Sequence, residues 1–388
     1  MQQVSKRVQA FGEATQRVVE FFTESTYARR QSDPGIADFA VGNPHEMPLT
    51  RFVEALQGAS TPQNKDWYAY KMNERSSQEI VAASLRETHQ LDFDAHHILM
   101  TNGAFAAIAV ALNALTDPGD EVIFISPPWF FYEPLILAVN ATPVRVKVNM
   151  ENFDLDIDAI AAAITPKTRA IIINSPNNPT GKIYTPQTLM RLAAVLTEAS
   201  QRNGRTIYLL SDEAYRRIVY DGATFYSPAA FYQNTLILYT YGKTLLTPGQ
   251  RLGYIALPPT MPDVDDLWTA LWMGQIMVGY AFPNALLQHA LPELEKLSID
   301  VEHLQEKRDR MVTALRGMGY DVHVPQGTFY LLPRSPIEDD MAFLELLAKE
   351  DVFCLPGVVV EMPGYFRISL TANDQMIEKA LPGFEKAI

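Results

Sequence analysis

From about Ala95 to Pro258, short apolar runs alternate with stretches of helical periodicity. Ile98–Thr101, Glu121–Ser126, Val144–Val148, Arg169–Asn174, Thr206–Ser211, Leu236–Tyr239 and Tyr254–Leu257 read as strands that are apolar on both faces. Between them, Ala104–Leu115, stopped by Asp117-Pro118-Gly119, and Thr185–Gln201 read as helices. A strand with no polar face must be covered on both sides, and helices in βαβ crossovers supply that cover. The pattern predicts an α/β fold: a three-layer αβα large domain with a mostly parallel sheet.

The flanks follow other rules. Val4, Val8, Phe11, Val18, Val19 and Phe22 recur at mixed helical spacing, and an extended stretch, Asp38-Phe39-Ala40-Val41-Gly42-Asn43-Pro44, comes after them. Toward the other end a charged helix at about Val301–Gly317 precedes short apolar runs at Tyr320–Val324 and Thr328–Leu332. A helix near Met341–Glu350 and a strand at Phe366–Leu370 follow. This α+β pattern predicts a smaller domain built from both chain ends, residues 1–45 and 286–388, beside a large domain of residues 46–285. The cleft between two such bodies is where ligands usually sit.

With 388 residues, 47% of them apolar and 10% aromatic, the chain can bury a large core. Its 45 acidic residues against 32 Lys and Arg give a net charge of -13, which disfavours nucleic acid and anionic membrane as partners. The lone cysteine, Cys354, can form neither an internal disulfide nor a cysteine zinc site, and it suits a reducing compartment. The start, Met1-Gln2-Gln3-Val4-Ser5-Lys6, has no apolar core of a signal peptide. No later stretch approaches the ~20 apolar residues of a membrane span. A cytoplasmic protein is expected.

Nucleotide and hydrolase motifs fail on inspection. Gly242-Lys243-Thr244 lacks the earlier glycine of a phosphate-binding P-loop, since position 237 is Ile. No Gly-x-Gly-x-x-Gly follows a strand, and neither His-Glu-x-x-His nor Gly-x-Ser-x-Gly occurs. His96 and His97 are adjacent and point different ways on a helix or strand, so no metal site is expected.

The chemistry lies in polar residues at strand ends, where open parallel sheets bind ligands. Thr101-Asn102-Gly103-Ala104-Phe105 is a glycine turn opening a helix, a form that can bind phosphate. Asn174-Ser175-Pro176-Asn177-Asn178-Pro179-Thr180-Gly181 carries more side-chain amides than a turn needs. Ser211-Asp212-Glu213-Ala214-Tyr215 places a carboxylate where an apolar strand emerges, and its desolvation calls for a cation or a protonated ring nitrogen. Tyr239-Thr240-Tyr241-Gly242-Lys243, followed by Gly249-Gln250-Arg251, sets a lysine at the end of another apolar strand, a candidate Schiff-base former.

In this order and spacing, from about Gly42 to Arg367, the chain resembles the fold-type I pyridoxal-phosphate enzymes of the class I/II aminotransferase family. The resemblance implies pyridoxal 5'-phosphate as cofactor, with Lys243 as the lysine that carries it and Asp212 as the partner of its ring nitrogen. It makes Tyr215 and Asn178 the donors to the ring oxygen and Gly103, Ala104 and Phe105 the phosphate loop. Thr240 and Arg251 become further phosphate ligands, and Trp129 the aromatic that stacks on the ring. Arg367, with Gly42 and Asn178, corresponds to the binding site for the substrate carboxylate. Tyr70 is similar to the tyrosine that reaches the phosphate of a neighbouring subunit, which implies a homodimer. Three positions depart from the family pattern: Gly242 replaces a hydroxyl residue, Ala106 an acidic or amide residue, and Arg75 a glycine.

The implied reaction is ping-pong transamination between an L-amino acid and a 2-oxo acid, both small molecules. Where aspartate-specific relatives can place a cation, the loop offers Phe105. With Trp67, Tyr68, Phe130, Met273 and Met277 it suggests an apolar wall and a neutral or aromatic amino donor. The same cofactor apparatus also serves lyases, cyclases and amino-acid oxidases. A non-catalytic cofactor-binding regulator is a third reading, disfavoured because no helix-turn-helix or basic arm precedes the domain. A cleft that takes an anionic cofactor and substrate is expected to be locally basic despite the overall acidity.

Overall fold

The computed structural model describes residues 4–388; Met1, Gln2 and Gln3 of the N-terminal stretch weighed above lie outside them. In chain order the strands are β1 (Ala37–Asp38), β2 (Ile98–Thr101), β3 (Glu121–Ser126), β4 (Thr142–Lys147), β5 (Thr168–Asn174), β6 (Tyr208–Asp212), β7 (Thr235–Thr240), β8 (Gly253–Ala256), β9 (Tyr330–Leu331), β10 (Val352–Phe353), β11 (Leu355–Pro356) and β12 (Phe366–Ser369). Seven of these form the main sheet in the order β2-β8-β7-β6-β5-β3-β4. Only β8 runs against its neighbours; the remaining pairings are parallel.

Alternation along each strand explains the layers. Ile171 and Ile173 of β5 enter one core with Leu192 and Leu196 of the helix Pro186–Asn203, whereas Ala170 and Ile172 enter another with Val110 and Leu112 of the helix Gly103–Leu115. β3 and β7 divide their residues in the same way. Helices on both faces thus account for strands without a polar side. The parallel strands β2, β3, β5, β6 and β7 all end at one edge of the sheet, and the chain reverses its winding between β3 and β5.

A second core draws on both chain ends. Phe39 joins Met311, Leu315, Phe343, Phe366, Ile368 and Phe384 there. β1 pairs in parallel with β10, and the Ser369 N–H donates to the Phe39 carbonyl at 2.9 Å. The helix Lys6–Thr23 packs instead on the helix Tyr132–Ala138, and its Val18 and Phe21 enter a core of the main sheet. The helix Ala285–Leu294 likewise packs on Thr50–Ala59 and Arg75–His89, so the C-terminal part of the chain enters the second core from Ile299 onward, where Tyr215, Ile218 and Tyr220 also reach it.

Two of the C-terminal apolar runs form little regular sheet. Tyr320–Val324 forms only an isolated bridge, Val322 to Pro333, and Thr328–Leu332 shrinks to the two residues of β9. Pro325 lacks an N–H for a ladder, and Thr328 at φ 70° leaves the extended region, so the sheet pattern breaks between the two runs.

Beneath the edge where the strands end lies a buried polar cluster around Glu213. Its carboxylate accepts from Ser227 Oγ at 2.5 Å and Ser211 Oγ at 3.0 Å, and faces His89 Nε2 at 3.2 Å and Arg216 Nη1 at 3.4 Å. Burial opposes the charge, but His89, Arg216 and the serine donors outweigh it and hold the carboxyl below its usual range. Arg216 also lies 4.3 Å over the Tyr239 ring. Removing one partner of such a cluster strands the other charges in a dry site, which costs about 3–5 kcal/mol. Glu213→Ala is therefore expected to lower the unfolding free energy by about that amount in denaturant titration, and Glu213→Gln by less. A loss under about 1 kcal/mol for the alanine variant would show the cluster to be energetically idle.

Candidate active site

The strand ends and the second core enclose one cleft. Into it project Lys243 and Thr240 from the end of β7, Asp212 and Tyr215 from the end of β6, and Asn178 from the loop after β5. Trp129 and Phe130 come from the loop after β3, and Ala104 and Phe105 from the turn after β2. The second body adds Arg367 of β12 and Tyr330 of β9, and the N-terminal segment adds Gly42.

The amine of Lys243 lies 5.7 Å from the ring centres of Tyr215 and Phe329 and has no hydrogen-bond or ion-pair partner among the described residues. Asp212 is buried. Its Oδ2 accepts from the Tyr132 hydroxyl at 2.6 Å and its Oδ1 from the Ala214 N–H at 3.2 Å. Burial pushes its carboxyl up to about 6, against the pull of those donors and of Lys243. Burial likewise pushes the Tyr215 phenol well above its ordinary value. Burial would raise Tyr330 too, but the cations of Arg367 and Lys243 outweigh it and bring that phenol below its usual range. The cleft is locally basic, as expected.

Gly103 shows why the turn after β2 must be bare. It sits at φ 80°, and a Cβ there would stand 2.7 Å from Arg251 Nη2 and 3.3 Å from Thr240 Oγ1. Backbone N–H groups at the start of the helix Gly103–Leu115, the Thr240 hydroxyl and the Arg251 guanidinium thus converge on one spot, a donor set suited to a phosphate. Arg251 is held by its bond to the Pro248 carbonyl at 2.7 Å. The departure at Gly242 has a steric cause: a Cβ would meet Pro248 Cα at 3.2 Å, because residues 247–248 fold back over it. Ala106 is buried in the helix away from the cleft, and Arg75 pairs with Glu79 at 2.9 Å on the surface.

Arg367 is pinned from three sides. Nη1 donates to Asn178 Oδ1 at 3.0 Å, Nη2 donates to the Ala40 carbonyl at 3.2 Å, and the guanidinium lies 4.0 Å over the Tyr330 ring. Its Nε is buried without a partner, so the group keeps donors for a further acceptor. Asn178 is itself set by a bond from its N–H to Asn174 Oδ1 at 2.7 Å. Gly42 must lack a side chain here, since a Cβ would stand 2.5 Å from the Tyr330 hydroxyl.

Of the residues that the resemblance assigns to cofactor or substrate, Tyr70 lies away from this cleft. It is 88% exposed, with its ring 5.0 Å from that of Phe282. Of the anticipated apolar wall, Phe105 and Phe130 line the cleft together with Ile108. Trp67 stacks on His289 at 3.5 Å, Tyr68 bonds to the Ser60 carbonyl at 2.5 Å, and Met273 and Met277 are exposed, so these four are not part of the wall within this chain. Tyr330 and Tyr132 were missed. Tyr132 follows Trp129 by three residues in an aromatic run, which was the available signal, whereas Tyr330 lies in a strand of the other body. His96 stacks on Trp268 at 4.6 Å and His97 pairs with Asp265 at 2.9 Å.

Fold and cleft together define an enzyme of the doubly wound α/β class, with an uncommitted lysine and a convergence of hydrogen-bond donors at its strand ends. The family model for aminotransferase class I and II matches residues 34–384, and the chain belongs to that family. It is 28% identical to the aspartate/prephenate aminotransferase of Thermus thermophilus, over 100% of this chain and 99% of the relative. It is 29% identical to aromatic-amino-acid aminotransferase 2 of Thermococcus litoralis, over 92% and 93%. An aminotransferase structure from Eubacterium rectale superposes with a TM-score of 0.87 at 31% identity, covering 99% of this chain and 95% of that one. The chain is thus an aminotransferase with the fold-type I architecture. No helix among the described residues is long and apolar enough to cross a membrane.

The environment of Asp212 makes stability depend on pH. Its folded carboxyl titrates near 6, above the 3.8 of an unperturbed aspartate, so the native state holds a proton that the unfolded chain has already released. The resulting stabilisation is full below about pH 4 and is lost as pH rises through about 6. In cofactor-free protein, Asp212→Asn is expected to match the wild type near pH 4 and exceed it by about 3 kcal/mol at pH 7, at 1.36 kcal/mol per pH unit. Chemical denaturation at the two pH values measures this, and an equal difference at both would contradict it.

Proposed function

We propose that this aminotransferase binds pyridoxal 5'-phosphate in the cleft and moves the amino group of a neutral or aromatic L-amino acid to a 2-oxo acid. The observation that carries this reading is the uncommitted amine of Lys243. It shares one cavity with the Asp212 carboxylate and the guanidinium groups of Arg251 and Arg367. The cradle around Gly103, which a Cβ would fill, and the unpartnered Nε of Arg367 fit a phosphate and a carboxylate.

When bound, the cofactor supplies a cationic ring that withdraws electrons from the substrate's Cα. Gly103, Ala104, Phe105, Thr240 and Arg251 would hold its phosphate, Trp129 would cover a ring face, and Tyr215 and Asn178 would donate to its phenolic oxygen. Asp212 would keep the ring nitrogen protonated, because a carboxylate buried with so little solvation favours a cation beside it. Arg367, oriented by Asn178 and flanked by Gly42, would take the substrate carboxylate through its remaining donors. Lys243 would hold the cofactor's aldehyde carbon at rest. As a free amine, its Nζ would take the proton from the substrate's Cα. Two such half-reactions give ping-pong kinetics.

The donor class follows from charge. The cations lining the cavity are Lys243, Arg251 and Arg367, and each has a task, so none is left for a side-chain carboxylate. The apolar lining includes Ile108, Phe105 and Phe130, with Trp129 edge to face on Phe105 at 5.2 Å. Relatives are named for aspartate, prephenate and aromatic amino acids, and this lining favours the aromatic end.

A homodimer is part of the proposal. Tyr70, Phe282, Met277, Met273 and Ile276 are exposed apolar residues, and burying them against a second copy would bring Tyr70 toward the partner's phosphate cradle. A cytoplasmic setting suits the single buried thiol.

Half-reactions with a panel of amino acids test the whole reading. Phenylalanine or tyrosine is expected to convert bound cofactor to pyridoxamine phosphate at least about tenfold faster than aspartate, the scale of about 1.4 kcal/mol in barrier. Ammonia or sulfide release without pyridoxamine phosphate would instead indicate a lyase or an oxidase. Lys243→Ala is expected to lose the borohydride-reducible yellow chromophore. Arg367→Ala is expected to lower kcat/KM by about 10²-fold, for one charge-assisted pair, with cofactor affinity little changed. Comparable losses in both would remove the assigned role.

A further inference from the structure

The carboxylate of a free aspartate turns easily, because its terminal torsion is broad and roughly two-fold. At Asp212 two donors on different oxygens stop that rotation, the Ala214 N–H on Oδ1 and the Tyr132 hydroxyl on Oδ2. The second bond, at 2.6 Å, is short, buried and made to an ionisable acceptor, a kind roughly twice as strong as a neutral pair.

Tyr132 opens the helix Tyr132–Ala138, is 2% exposed, and meets the Trp129 ring edge to face at 5.5 Å. One segment, residues 129–132, therefore carries both the aromatic face of the cleft and the donor to its carboxylate. A buried tyrosine that needs only a partner can use a backbone carbonyl, as Tyr232 does with Ile207 at 2.6 Å and Tyr320 with Phe384 at 2.8 Å. Tyr132 uses the carboxylate that, among the described residues, alone lines the cleft. Burial and the adjacent Asp212 hold its phenol well above the ordinary value, so it keeps its proton and acts as a donor.

We propose that Tyr132 is a positioning residue that acts through Asp212, fixing the rotation of its carboxylate and holding its negative charge in place for a cationic ring nitrogen. The proposal rests on the cofactor assignment above and adds a residue to it. Without the hydroxyl, Oδ2 would lose its donor in a dry site, and the carboxyl would turn freely and keep its proton to higher pH. The other groups acting on this carboxylate are Lys243, which favours its charge, and Glu213, which opposes it, with the phenol of Tyr215 also nearby. Tyr184 faces Tyr132 itself. Among the described residues, none of these donates to Oδ2.

The test compares wild type, Tyr132→Phe, Asp212→Asn and the double variant, prepared without cofactor and then titrated with pyridoxal 5'-phosphate. In cofactor-free protein, the pH range over which stability is lost relative to the matching Asp212→Asn background is expected to move up by about one unit in Tyr132→Phe. On loading, the dissociation constant read from tryptophan fluorescence is expected to rise about tenfold, as for one lost charge-assisted hydrogen bond. The kcat should fall by a similar factor, while KM for the amino acid stays within about twofold because Arg367 is untouched. In the Asp212→Asn background, Tyr132→Phe is expected to alter affinity and kcat by no more than about twofold.

Equal losses in both backgrounds, or an unmoved pH range, would overturn the role. If Tyr132→Phe does not fold, 3-fluorotyrosine at position 132, a stronger donor of nearly the same shape, is expected to move the range down, and no movement would overturn the proposal. If the wild type takes up no pyridoxal 5'-phosphate, the cofactor reading fails and the part of this proposal that concerns a ring nitrogen falls with it. The pH range then decides separately whether Tyr132 orients Asp212.

Discussion

With helices packed on each face of the seven-stranded sheet, a polar side chain along β3, β5, β6 or β7 would be buried without water and would need a partner in apolar surroundings. Polar residues are displaced to the points where the strands stop. Because the parallel strands share a direction, those points lie on one edge. The cleft is in this sense a by-product of two-sided burial: the rule that keeps Ile171, Ile172 and Ile173 apolar delivers Asn174, Asp212, Thr240 and Lys243 to the same place.

The electrostatics follow from the same geometry. A chain of net charge -13 keeps much of its acid at the surface, as at Asp33, Asp158 and Asp265, while three cations face the cavity. Within the cavity the one carboxylate, Asp212, is held by donors rather than by a direct ion pair. Its charge is left without a close counter-ion. Glu213, one residue along, is satisfied from all sides by His89, Arg216, Ser211 and Ser227. Neighbouring acids on one turn thus play opposite parts, one structural and closed, one open to the cleft.

Much of this was readable before any coordinates. The two-sided strands between Ile98 and Leu257 announced a covered parallel sheet, and polar residues just after each run marked the edge where chemistry gathers. What escaped was information that pattern does not encode. Tyr330 belongs to a short strand in the other body, and only the packing of Arg367 over its ring reveals its part. Tyr132 reads as one more aromatic in an apolar run until its hydroxyl is seen on Asp212. Trp67 and Tyr68 looked like cleft aromatics by composition, yet local partners, His289 and the Ser60 carbonyl, hold them elsewhere. The apolar run at Tyr320–Val324 makes only an isolated bridge, because backbone conformation at Pro325 and Thr328 outweighs apolar alternation.

The bond from Arg367 to the Ala40 carbonyl joins residues 327 positions apart. A ribosome releases the segment from Gly103 to Arg251, with Asp212 and Lys243 between them, well before Arg367 emerges. Domains fold as units during synthesis, N-terminal parts first, and contacts of long sequence separation form late. The part of the cleft built from the strand ends can therefore take shape on a nascent chain before Arg367 and its bond to Ala40 exist.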